Sequence, residues 1–135
     1  MIDSSIAPGD TIGPVTLEVT HALAKEFTVI SKDVNSSHYD DAAAQRLGFP
    51  AAIQHSAIAG SLLFRMLADW KGSVLQGDDE FECAFIAPIF LGDNPTAKGV
   101  VTEVTDSVVS CDFWCENQHG AKTIAGKARI RRASP

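Results

Sequence analysis

From Ser56 to about Trp70 the apolar residues Ile58, Leu62, Leu63, Met66, Leu67 and Trp70 return at helical spacing, with Arg65 and Asp69 on the opposite side. After Gly72 that period gives way to alternation and to short β-branched runs. These are broken at Gly77-Asp78-Asp79, at Gly92-Asp93-Asn94-Pro95, at Thr105-Asp106 and at His119-Gly120. One long helix followed by strands joined by tight turns has few ways to bury its apolar stripe. The expected class is α+β, a long central helix wrapped by an antiparallel β-sheet. Strands are predicted from Gly72 to Leu75 merging with Glu80 to Ile89, then over Ala97 to Val104, Val108 to Glu116 and Lys122 to Arg131.

Upstream of the helix the chain is more broken. Pro8-Gly9-Asp10 reads as a turn into a strand over Thr11 to Thr20, with an irregularity at Gly13-Pro14. Leu23, Phe27 and Ile30 then predict a short amphipathic helix from His21 to Ser31, with Thr20 as its N-cap. Asp40 or Asp41 can cap a second small helix through Leu47, which Gly48 stops. At 135 residues, with no repeat or linker, residues 1–135 read as one domain whose last residues after Arg132 are frayed.

Between the two small helices runs Ser31-Lys32-Asp33-Val34-Asn35-Ser36-Ser37-His38-Tyr39-Asp40. Asp33 and His38 lie five residues apart with Asn35 between them. A carboxylate can hold a water and accept its proton, and a histidine can take or give one near neutral pH, so acid and base come in one short segment. Taken alone, an aspartate leaving a helix is usually a turn residue and a lone histidine usually structural. Asn35 reads as a brace for the loop, Asp40 as a helix cap, and His21 and His119 as surface residues.

The order Asp-x-Asn-x-x-His-x-Asp, then Gly48-Phe49, then Ile53-x-His55 before an apolar helix, resembles the MaoC-like branch of the hotdog-fold hydratases and dehydratases. The later segment Phe85-Ile86-Ala87-Pro88-Ile89-Phe90-Leu91-Gly92-Asp93 resembles that family's apolar-Pro then Gly-Asp pattern. The resemblance implies a single hotdog domain with Asp33 and His38 as the catalytic pair. It implies (R)-specific hydration of a 2-enoyl thioester, or dehydration of a 3-hydroxyacyl thioester, by acid-base chemistry on one water. It implies no metal and no redox cofactor, with coenzyme A or an acyl carrier protein as part of the substrate. The backbone N–H of Ser56, at a helix start, would take the thioester oxygen. His55 is left between a structural and a substrate-side role.

The chain departs from the family pattern at Lys32, Ser36, Ser37 and Ser56, usually Gly, Pro, an aliphatic residue and Gly. Two other readings stay open, the first on the strength of these departures and the second against the retention of Asp33 and His38. One is a divergent isomerase, cyclase or eliminating lyase acting on a polyketide-like or steroid-like substrate. The other is a noncatalytic hotdog partner subunit. Hotdog domains usually join their sheets edge to edge, so a homodimer or higher oligomer is expected, a heterodimer being the variant.

Composition narrows the partners. The net charge of −6, with basic residues scattered apart from Arg129, Arg131 and Arg132, speaks against nucleic acid. No apolar run reaches membrane length, and the first residues lack the basic start and apolar block of an export signal, so a cytoplasmic protein is expected. Cys83, Cys111 and Cys115 form an odd set without metal-site spacing. Along one strand Cys111 and Cys115 would stand roughly 13 Å apart, so all three read as packing residues. Arg65, Lys71, Lys98, Lys122, Lys127 and Arg129 are the cations available to an anionic carrier. Phe64 and Trp70 read as core.

Overall fold

The computed structural model describes residues 2–132, so the expected fraying beyond Arg132 lies outside the described residues. The elements are β1 (Thr11–Thr16), α1 (His21–Ser31), a 3-10 turn (Ser36–His38), α2 (Asp41–Arg46), α3 (Ser56–Lys71), β2 (Glu80–Phe85), β3 (Thr96–Val104), β4 (Val108–Glu116) and β5 (Lys122–Arg131). The five strands form one antiparallel sheet in the order β1-β3-β4-β5-β2.

Alternation explains how the sheet meets the helix. In β4 every second residue is buried, and these residues, Val109, Cys111, Phe113 and Cys115, face the core beside Ala97 and Val101 of β3. The apolar stripe of α3, Leu62, Leu63, Met66 and Leu67, closes over them, packing chiefly against β1, β3 and β4. Trp70 is half-buried at the edge of this core. β2, at the far edge, extends past the helix, and all six of its residues are exposed.

Four expectations are corrected. Gly72 to Leu75 is not a strand. Gly72, at φ 80°, caps α3 by donating to the Ala68 carbonyl, and Val74 is exposed in the connection that follows. β2 stops at Phe85 rather than Ile89, because the N–H groups of Ile86 and Ala87 converge on one carbonyl, that of Thr123, and the ladder cannot continue into Pro88. Phe64 is not core. It is 41% exposed and meets Phe81 edge to face, because it faces the edge strand β2, whose own residues are all exposed. Cys83 is exposed on the same strand, whereas Cys111 and Cys115 are the packing residues expected.

The first strand also ends earlier than expected, at Thr16, although the N–H groups of Leu17 and Val19 still bond to the Pro95 and Asp93 carbonyls. The segment after β2 returns beside the chain that enters α3. Gln54 N–H donates to the Ile89 carbonyl, Leu91 N–H donates to the Ala52 carbonyl, and Ile53 bridges Phe90. This clamp fixes the entrance to α3 at the end of the sheet.

Candidate active site

Local hydrogen bonds build the loop that carries the site. α1 starts where expected, with the Thr20 hydroxyl accepting from Leu23 N–H. It ends at Lys32, whose φ of 58° is the left-handed conformation that glycine adopts most easily. The Asn35 side chain accepts from Ser37 N–H and from the Ser37 hydroxyl, capping the 3-10 turn. Asn35 N–H in turn donates to the Asp33 carboxylate at 3.3 Å. Asn35 therefore braces the loop, as read from sequence. Asp40 caps α2 through Ala42 N–H, and Asp41 accepts from Ala52 N–H, tying the loop to the α3 entrance.

The turn brings Asp33 and His38 together, with 3.4 Å between Asp33 Oδ2 and His38 Nε2. His38 Nδ1 lies 2.9 Å from the Ile53 carbonyl oxygen. A carbonyl only accepts, so Nδ1 carries the hydrogen and, in the neutral ring, Nε2 presents a lone pair toward the carboxylate. Two acceptors face each other across a gap that one water, at about 2.8 Å from each, can bridge by donating to both. Asp33 is half exposed and His38 largely buried, so the pair opens to solvent on the carboxylate side.

His55 joins them from the other end of the loop clamp. It is 3% exposed, stacks on His38 with centroids 3.8 Å apart, and tilts against Phe27. Its Nε2 lies 3.9 Å from Asp33 Oδ2, 3.4 Å from the Asp33 carbonyl and 3.5 Å from the Thr28 hydroxyl. The Thr28 hydroxyl already donates to the Ala24 carbonyl, so every neighbour of that nitrogen accepts. His55 Nε2 thus bears the hydrogen and points it at the Asp33 loop, while Nδ1 is buried without a partner among the described residues.

Asp33, His38 and His55 have ligand atoms within 4.8 Å of one another, a set from which a metal site could be made. Both histidines could serve one ion only after a ring rotates. An ion lies in the plane of each imidazole that binds it, and rings stacked at 3.8 Å with 26° between their planes share no such point within coordination distance in this orientation.

Ser56 is the first residue of α3. Its predecessor His55 makes no side-chain cap bond, and although the Ile58 N–H donates to the His55 carbonyl, no side chain caps the Ser56 end. Ser56 also borders an apolar cleft of about 280 Å³, walled by Phe49, Ile53, Phe85, Ile86 and Ile89. Of the cations read as available to an anionic carrier, Lys71 is withdrawn, since it is buried against Asp79. Lys98 is paired with Glu116, Arg65 with Asp69 and Arg129 with Glu80, while Lys122 lies over the Trp114 ring. His21 and His119 are exposed, as expected.

Sequence reading missed Thr28 and Gln54. Thr28 carries no signal beyond lying one helical turn after Ala24. Gln54 does carry one, as an amide directly following the apolar stretch Phe49 to Ile53.

A family profile described as MaoC like domain matches residues 4–123. An (R)-specific enoyl-CoA hydratase of Aeromonas caviae is 29% identical over 110 residues, spanning 78% of this chain and 80% of that protein. A solved (R)-hydratase from A. caviae, described as involved in PHA biosynthesis, superimposes with a TM-score of 0.82 at 24% identity, covering 97% of this chain and all of that one. An unliganded R-hydratase from Pseudomonas aeruginosa gives 0.79 at 22% identity, over 98% of this chain and 85% of that one.

Proposed function

Since the chain belongs to the MaoC-like domain family, we propose that it hydrates a 2-enoyl thioester to an (R)-3-hydroxyacyl thioester, or runs the same reaction in reverse, with Asp33 and His38 as its acid-base pair. The observation that carries this reading is the 3.4 Å approach of Asp33 Oδ2 to His38 Nε2, with His38 Nδ1 held by the Ile53 carbonyl. The pair holds a water and takes its proton as the oxygen bonds to the β carbon. The π electrons of the double bond move onto the thioester oxygen, giving an enolate. That enolate takes a proton from the same pair at the α carbon and the carbonyl is restored. Water is consumed whole, and both new bonds form on one face.

The enolate oxygen needs a donor. The uncapped start of α3 at Ser56 supplies N–H groups and the positive end of a helix dipole. His55 acts as a positioning residue, directing its Nε2–H toward the Asp33 loop and supporting the His38 ring. The substrate handle in this reading is coenzyme A or an acyl carrier protein, and the chemistry asks nothing of a metal or a redox group.

The exposed β2 edge supports pairing with a second copy of the chain or with a related one. β2 is outermost in the sheet, and Phe81 and Phe85 are 45% and 56% exposed there. Sedimentation showing only monomer would remove that part.

The deciding experiment mixes the pure protein with crotonyl-CoA and follows loss of the conjugated enoyl-thioester absorbance, beside Asp33→Asn and His38→Ala. Turnover by the parent, an (R) product on chiral analysis and collapse in both variants are expected. Undiminished rates in either variant would take that residue out of the reaction.

A further inference from the structure

Gln54 sits where an apolar side chain would cost less. It is 5% exposed, its backbone is fixed by the bond from its N–H to the Ile89 carbonyl, and it lines the cleft beside Ser56. Both ends of its carboxamide, Oε1 and Nε2, are buried and without a partner among the described residues. A buried amide without a protein partner is costly, so in a native structure it meets a water, an ion or a ligand.

The walls restrict what that something is. Phe49, Ile53, Phe85, Ile86 and Ile89 line the cleft together with Gln54, and no charged residue is among the lining. A carboxylate or phosphate would find no countercharge, and a many-hydroxyl group would lose its hydration against those walls. An apolar chain bearing one neutral oxygen fits both the walls and the amide, which can donate to a carbonyl or exchange bonds with a hydroxyl.

We propose that Gln54 is a specificity-determining residue that hydrogen-bonds a hydroxyl or keto oxygen on the acyl arm of the substrate, so that oxygenated 2-enoyl thioesters are preferred over plain alkyl ones. This rests on the hydratase reading above, in which Ser56 receives the thioester carbonyl and the acyl arm runs from it into the cleft.

The test compares trans-2-octenoyl-CoA with analogues carrying a hydroxyl or keto group at successive carbons beyond the double bond, for the parent and for Gln54→Leu. The parent should favour at least one analogue by about tenfold or more in kcat/KM, and Gln54→Leu should bring that ratio to about one. Gln54→Leu should melt no lower than the parent, since it removes an unpaired buried group. A ratio near one in the parent, or a preference that survives the substitution, overturns the inference while leaving hydration intact. Equal loss on all substrates would assign Gln54 to the carrier arm shared by them, and a lower melting temperature would assign it to the fold. Either overturns the inference as well. No turnover of any of these substrates by the parent removes the hydratase reading and this inference together.

Discussion

The Ile53 carbonyl accepts from His38 Nδ1 at 2.9 Å and so decides which imidazole nitrogen faces Asp33. Nitrogen NMR of the protein should show a hydrogen on His38 Nδ1, held by the Ile53 carbonyl. His38→Ala and Asp33→Asn should each lower kcat for enoyl-thioester hydration by about 10²- to 10⁴-fold, the range for loss of a general acid or base. Finding the hydrogen on Nε2 would show that His38 cannot accept a proton from water in the orientation described.

His55 separates packing from chemistry. It is buried between Phe27 and His38 and reaches the Asp33 carbonyl through Nε2. His55→Ala should lower kcat about tenfold or more with little change in KM, because the His38 ring loses its support. His55→Gln, which restores a donor, should recover part of that loss. If His55 contacted substrate, KM would rise instead.

The pair Asp33 and His38 was legible through the resemblance carried by Asn35, Asp40, Gly48-Phe49 and Ile53-x-His55, and its members meet by local turn chemistry around Asn35. The β3, β4 and β5 spans and the central helix were legible for a similar reason, since periodicity and turn residues are local signals. Contacts made by chain return were not. His55 was a candidate from its place after Ile53, but its stacking on His38 depends on the segment around Ile89 and Phe90 folding back beside Ile53, a meeting no spacing rule encodes. The exposure of Phe64 and Cys83 had the same origin, because an edge strand overrunning its helix depends on how the layers are offset. Val74 and Leu75 resemble a strand in composition, yet Gly72 and the Asp79 turn commit them to a connection.

Asp79 holds together the end of α3, the turn and the last strand. Its buried carboxylate accepts from Lys71 Nζ, Gln76 N–H and Arg131 N–H. Burial pushes its pKa up, but the bonds from Lys71, Gln76 and Arg131 outweigh that and hold it below the ordinary 3.8. A carboxyl depressed in the folded state stabilises it above its unfolded value, and the contribution disappears as pH falls from about 3.8 through the folded value. Asp79→Ala should cost about 3 kcal/mol in urea unfolding at neutral pH, by stranding Lys71. The variant should also lose less stability than the parent between neutral pH and that acid window. An equal acid loss in both would remove Asp79 from the account.

Thiol reactivity should divide in the same way as burial. Cys111 is pushed up to about 11 by burial, and Cys115 is raised for the same reason, so neither offers thiolate at neutral pH. Ellman's reagent should modify no more than one thiol per native chain, at Cys83, and all three after guanidinium unfolding. Rapid native modification of two would contradict the packing of β4.

Gly126 lies in register between Cys83 of β2 and Phe113 of β4. A Cβ there would run into the Glu82 carbonyl and come within 2.7 Å of the Phe113 ring and 2.8 Å of Cys83 Cβ. The carbonyl belongs to the strand backbone and cannot swing aside as a side-chain tip would, so β2 itself must move. Gly126→Ala should therefore lower unfolding stability by about 1–3 kcal/mol, and its extra hydrogen exchange should be concentrated in β2. Because β2 walls the cleft with Phe85, the same variant should weaken acyl-thioester binding even where the protein remains folded. An unchanged melting temperature together with unchanged exchange in β2 would show that this strand does not pack on β5 as closely as described.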